Sequence, residues 1–150
     1  MDNILPVRIF NSTPWSLPNY ESDGASGFDL RAALQDAITI KPLERALIPT
    51  GIFVELPIGF EITVRPRSGL AAKFGISIVN TPGTVDADYR GQIHVNLINL
   101  GNTDFKINPG DRIAQGVILP VFKALWIPVS SEKELSVTTR GEKGHGSTGI

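Results

Sequence analysis

The chain has no cysteine in its 150 residues, which excludes a disulfide framework, a thiolate nucleophile and a thiolate-bound zinc. It has only two histidines, His94 and His145, too few for a metal cage built from protein ligands alone. No run of about 18 apolar residues occurs that could cross a bilayer as a helix. Residues 1–8 show no basic stretch leading into a long apolar one, so the cytoplasm is the expected location. Net charge is nearly absent as well: 14 Lys and Arg against 15 Asp and Glu leave −1. Such a balance provides no basic field for a nucleic-acid backbone or an anionic membrane, and neither is an expected partner.

What is present reads as a globular protein, with 41% hydrophobic and 19% charged residues. A chain of this length fits one domain and buries roughly 68–70% of its unfolded surface. The 15 Gly and 11 Pro imply many turns and few long helices. Apolar residues recur with period two, as Phe60, Ile62 and Val64 against Glu61, Thr63 and Arg65, and as Ile93, Val95 and Leu97 against His94 and Asn96. That spacing predicts half-buried strands. Further short apolar runs at residues 5–10, 28–32, 47–56, 113–122 and 125–129 are broken by Pro or Gly, which points to an all-β sandwich or barrel.

One segment departs from this pattern. Ser68 follows Pro66 closely, and Leu70, Ala71, Ala72, Lys73 and Phe74 lead to Gly75, which predicts two turns of helix with Ser68 as the cap and Gly75 as the stop. Composition shifts again from Ser130. Between residues 136 and 149 only Val137 is an aliphatic hydrophobe, and Gly141, Gly144, Gly146 and Gly149 keep the backbone free. A barrel over residues 1–135 and a mobile arm over 136–150, without a separate fold, are expected.

Chemistry concentrates in residues 83–93, where Asp86, Asp88, Tyr89 and Arg90 crowd a turn between apolar runs. Aspartate is a preferred turn former, so these acids serve either a polar hairpin or a reaction, and spacing does not choose which would be the base. Arg65, Arg67, Ser68 and Gly69 set cations and a hydroxyl before the expected helix, a place for a phosphate or an ordinary helix start. Arg140, Ser147, Thr148 and the arm glycines could form a second phosphate cradle or a solvated tail. Residues 144–149 match the spacing GxGxxG, yet only Ile150 follows, so no helix can open there and a dinucleotide site is excluded. Asp29, within an apolar strand start, needs a partner, water or a cation.

Taken in order, residues 25–32, 66–73, 80–93, 111–116 and 140–149 resemble the five motifs of the trimeric dUTP pyrophosphatase (dUTPase) family. The resemblance implies a distorted β-barrel or jelly roll of the β-clip type, with one short helix and a flexible C-terminal arm. It also implies hydrolysis of dUTP to dUMP and pyrophosphate, which limits uracil in DNA and supplies dUMP for thymidylate synthesis. By similarity, Asp86 activates the water that attacks the α-phosphorus, and Asp29 holds waters of a triphosphate-chelated Mg2+. Arg67, Ser68, Gly69 and Gln115 would hold the phosphates, joined by Arg140, Gly146 and Ser147 when the arm closes. Asn80 and the backbone at Gly83, Thr84, Val85 and His94 would read uracil, while Tyr89 would lie under the deoxyribose and exclude a 2'-hydroxyl. A homotrimer with sites between subunits is implied, each arm reaching another copy. One position departs from the family pattern: His145 stands where the arm usually carries phenylalanine, leaving an imidazole to stack on uracil. Two alternatives share the barrel, a dCTP deaminase and a non-catalytic dUTP-binding regulatory module.

Overall fold

A computed structural model of the protein describes residues 4–144. In chain order the strands are β1 (Arg8–Asn11), β2 (Phe28–Arg31), β3 (Ile38–Ile40), β4 (Arg45–Pro49), β5 (Ile52–Glu55) and β6 (Phe60–Arg65). Helix α1 (Ser68–Phe74) follows, then β7 (Ile76–Ile78), β8 (Gly83–Val85), β9 (His94–Asn99), β10 (Phe105–Ile107) and β11 (Arg112–Pro120). They form four antiparallel sheets, ordered β1-β5, β10-β3, β2-β11-β6-β8 and β4-β9-β7. Inward residues from all four meet in one core, in which Leu30, Ile40, Ile48, Ile62, Ile76, Val95, Leu97 and Ile107 are almost fully enclosed.

The alternation read from the sequence holds well in β9, where Val95, Leu97 and Asn99 are buried and His94 is exposed. Asn99 is the polar exception. Its Nδ2 donates to the carbonyls of Ile40 and Thr103, and its Oδ1 accepts from the Gly101 amide, so its burial leaves no group unsatisfied. In β6 the alternation fails at Thr63, which is as buried as its neighbours. Its hydroxyl takes the Arg65 Nε–H, which keeps the buried oxygen partnered.

Residues 47–56, read as an apolar run broken by glycine, are two strands, because Gly51 turns the chain at φ 68° between β4 and β5. Two expectations are corrected. Ser68 is the first helical residue of α1 and not its cap: the N-cap is Arg67, in extended conformation and making no side-chain cap bond. Residues 125–129 form no strand. Strand pairing needs a partner, and the last backbone bond to the barrel is from the Val121 amide to the Gly59 carbonyl. From Phe122 to the end of the described residues every side chain is exposed, including Phe122, Leu125, Trp126 and Ile127 at more than 80%.

Gly75 ends α1 as expected. It adopts φ 69° and its amide reaches the carbonyls of Ala71 and Leu70. A side chain there would also press on the backbone of Gly101 and Leu100, so two separate constraints select glycine. No helix among the described residues is long and apolar enough to cross a membrane.

Candidate active site

The long strand β11 organises a cleft of paired charges. Gln115 is paired with Asp29 of β2 on one side and with Arg65 of β6 on the other, so three strands deliver their polar residues to one sheet end. Pro66 and Arg67 then carry the chain from β6 into α1. The resulting cleft of about 400 Å3 is lined by Asp29, Arg67, Ser68, Gly69 and Gln115, together with Glu21 and Lys73. Arg67, Ser68, Gly69 and Gln115 are therefore gathered here, whereas Arg65 turns its Nε–H to the Thr63 hydroxyl and does not line the cleft.

An ion-pair chain fixes the acid and base side chains of this cleft. Arg67 Nε donates to Asp29 Oδ1 at 3.0 Å, and Arg112 Nη1 donates to Asp29 Oδ2 at 3.2 Å. Arg112 Nη1 also reaches Glu21 Oε1 at 3.0 Å. The Asp29 side chain is only 14% exposed, so the two guanidiniums supply the partners that its partial burial requires. Gln115 is held as well: its Nε2 donates to the Pro66 carbonyl at 2.9 Å, and its Oε1 occupies the space that a Cβ on Gly27 would need.

Glu21, Lys73 and Arg112 were not among the expected site residues. Strict alternation would put Arg112 and Gln115, three positions apart, on opposite faces of β11. The register shift between Arg112 and Ala114 returns them to the same side, and the adjacent burial of Ile113 and Ala114 marks the irregularity. A bulge of this kind leaves little trace in a single sequence. Glu21 lies 8 residues before Asp29 in a loop and is brought in by the bridge between its neighbour Tyr20 and Phe28 and by its ion pair with Arg112.

A second cleft of about 210 Å3 lies on the hairpin side, lined by Thr84, Val85, Asp86, Tyr89, Gln92, Ile93 and His94. Gly83 is buried beside it, and Asn80 stands next to Gly83, its Nδ2 3.4 Å from where a Cβ on that glycine would be. The Asp86 carboxylate is exposed and makes no side-chain hydrogen bond to the described residues, while its carbonyl accepts from the Tyr89 amide to close a turn. Arg90 braces the same turn by donating to the carbonyls of Ala87 and Tyr89. The Tyr89 hydroxyl and His94 Nδ1 both meet the carbonyl of Gln92, at 2.9 Å each.

The clefts have no lining residue in common. Their separation follows from register. Gly83 pairs with Val64, Val85 pairs with Ile62, and Asp86 continues away from Arg65 and Arg67. Ile62 is three residues before Arg65, about 10 Å along the strand, so the free carboxylate and the cations stand toward opposite ends of β6. Arg140 is exposed, its Nε donating to the Lys143 carbonyl in a local turn, and it lines neither cleft. His145, Gly146 and Ser147 lie outside the described residues. Among the described residues, no group of three or more His, Asp or Glu could hold a metal ion directly.

A small barrel with an anion-sized cleft of guanidinium, ammonium and hydroxyl groups at one sheet end and an unpaired carboxylate in a hairpin at the other has the parts of a phosphoanhydride hydrolase. The family profile described as dUTPase matches residues 13–149. The deoxyuridine 5'-triphosphate nucleotidohydrolase of Treponema denticola is 58% identical over 134 residues, 89% of this chain and 91% of its own length. The Ehrlichia canis protein of the same name is 50% identical over 149 residues, covering 99% of this chain and 97% of its own. Among solved structures, the dUTPase of Staphylococcus bacteriophage 80alpha with dUPNHPP superposes with a TM-score of 0.85 at 25% identity, covering 97% of this chain and 99% of that one. The chain belongs to the dUTPase family, and its all-β architecture with one short helix is the family's jelly roll.

Proposed function

We propose that this protein hydrolyses dUTP to dUMP and pyrophosphate, limiting uracil incorporation into DNA and supplying dUMP for thymidylate synthesis. The observation that carries this reading is its 50–58% identity, over about nine-tenths or more of both chains, to proteins named deoxyuridine 5'-triphosphate nucleotidohydrolase. Asp86 is the general base. Its exposed carboxylate has no competing side-chain partner among the described residues, which suits it to accept a proton from water. As that water's oxygen bonds to the α-phosphorus, the bond to the oxygen bridging the β-phosphorus breaks and pyrophosphate departs with the electron pair.

Arg67, Ser68, Gly69 and Gln115 hold the phosphates, a role supported by their common cleft. The freed Ser68 hydroxyl, not spent on capping, is available to a phosphate oxygen. Asn80, Gly83, Thr84, Val85 and His94 read uracil through the hairpin, and Tyr89 faces the deoxyribose, which their cleft at the turn supports. Both Asp29 oxygens are engaged by guanidiniums, yet each keeps lone-pair capacity for a water. Asp29 therefore fits Mg2+ held through its waters better than direct ligation. When bound with the triphosphate, the ion offsets phosphate charge.

The protein acts as a cytoplasmic homotrimer with sites between subunits. The separation of Asp86 from Arg67 within one chain supports a site that draws the two from different copies. Residues 136–150 act as an arm, with Arg140, His145, Gly146 and Ser147 closing over substrate, a reading supported by the exposure of every described residue after Val121. Pyrophosphate release from dUTP, UTP, dTTP and dCTP with Mg2+, alongside Asp86→Asn, tests the proposal. Selective turnover of dUTP is expected, with a loss of at least about 100-fold in the variant. Release of ammonia from dCTP, or binding of dUTP without pyrophosphate, would overturn it.

A further inference from the structure

The Tyr89 ring is held in place by two contacts that lie outside the ring's own burial. Its hydroxyl donates to the Gln92 carbonyl at 2.9 Å. Its edge rests directly on Gly91: a Cβ built there would stand 2.5 Å from Tyr89 Cζ and 2.9 Å from Cε2, with the hydroxyl oxygen nearer still. Tyr89 as a whole is 43% exposed, so the barrel covers it only in part. Two further features make the glycine's role one of space. Gly91 is not in the left-handed region that would demand glycine for backbone reasons. Its would-be contacts are the far end of one side chain, not backbone, so another residue could be accepted if Tyr89 moved.

We propose that Gly91 is the seat that positions Tyr89, and through it a specificity-determining residue for deoxyribose over ribose. The inference rests on the reading of Tyr89 as the sugar-facing residue. A ring that excludes a 2'-hydroxyl does so by standing within van der Waals distance of C2', and a displacement of about 1 Å removes that exclusion. The absent Cβ at Gly91 sets how deep the ring sits, and the Gln92 carbonyl sets its lateral position. The same carbonyl meets His94 Nδ1, so the tether belongs to the wall of the same cleft.

The experiment compares kcat/KM for dUTP and UTP in the full-length protein and in Gly91→Ala, with circular dichroism and oligomer size as controls. Gly91→Ala is expected to remain folded and to lower the dUTP-to-UTP ratio by about tenfold or more, through a displaced ring. A ratio within twofold of wild type would overturn the proposal. Tyr89→Phe keeps the ring and its seat but removes the tether to Gln92. It is expected to lower the ratio less, by about threefold. If Gly91→Ala does not fold, the test passes to Tyr89→Ala with and without Gly91→Ala: with the ring gone the added Cβ strikes nothing, so fold and ratio are expected to match Tyr89→Ala within twofold, and a further loss of either would overturn the proposal. A wild-type protein inert toward dUTP would overturn the proposed function and this inference together. Selective wild-type turnover with an indifferent Gly91→Ala would overturn this inference alone.

Discussion

Asp29 and Glu21 touch the same arginine and differ in what they contribute. Asp29 is 14% exposed and receives charge-assisted bonds from Arg67 and Arg112. Asp29→Asn removes the negative partner of both guanidiniums, and a stability loss of about 2 kcal/mol in urea denaturation is expected, with weakened substrate binding. Glu21 is 62% exposed, and Glu21→Gln is expected to leave stability within about 1 kcal/mol in the same measurement. The acidic residue within the apolar strand was legible because burial of a carboxylate demands partners. Which partners it would find was not, since Arg112 reaches it only through a bulge and Arg67 from beyond the end of β6, a strand separated from β2 by β11.

Among the elements, α1 shows how local signals and tertiary demands divide a boundary. Its end was readable because Gly75 meets a backbone need, φ 69°, that few other residues satisfy. Its start was read one residue late because a serine before an apolar run imitates a cap, while here Arg67 is drawn to Asp29 and occupies the cap position itself. Gly75→Ala is expected to cost more than about 1 kcal/mol, from left-handed strain and the crowded Gly101 backbone together. Thermal unfolding reads that loss, and a raised KM for dUTP would follow as α1 shifts Ser68 and Gly69. Residues 125–129 carry a strand-like sequence without a strand, because a strand is defined by its partner, and no partner for this segment occurs among the described residues of its own chain. The fold class was thus open to period-two reading, whereas pairings between segments distant in sequence were not. Deleting everything after Thr139 is expected to leave a folded trimer by size-exclusion chromatography and circular dichroism, with turnover severely reduced. Loss of the folded state would instead make the arm part of the barrel's stability.

For the whole molecule, the position of Asp86 and Arg67 toward opposite ends of β6 carries a consequence for mixed populations of chains. If a site takes its carboxylate from one copy and its cation from another, Asp86→Asn and Arg67→Ala are defects of different halves. Each variant alone is expected to be inactive. Unfolded together and refolded as hybrids, they should recover a measurable fraction of wild-type pyrophosphate release, because some sites then combine two intact halves. A chain carrying both substitutions should rescue neither single variant. Activity would then be inherited by the assembly and not by the chain, and two broken genes in one cell could make a working enzyme.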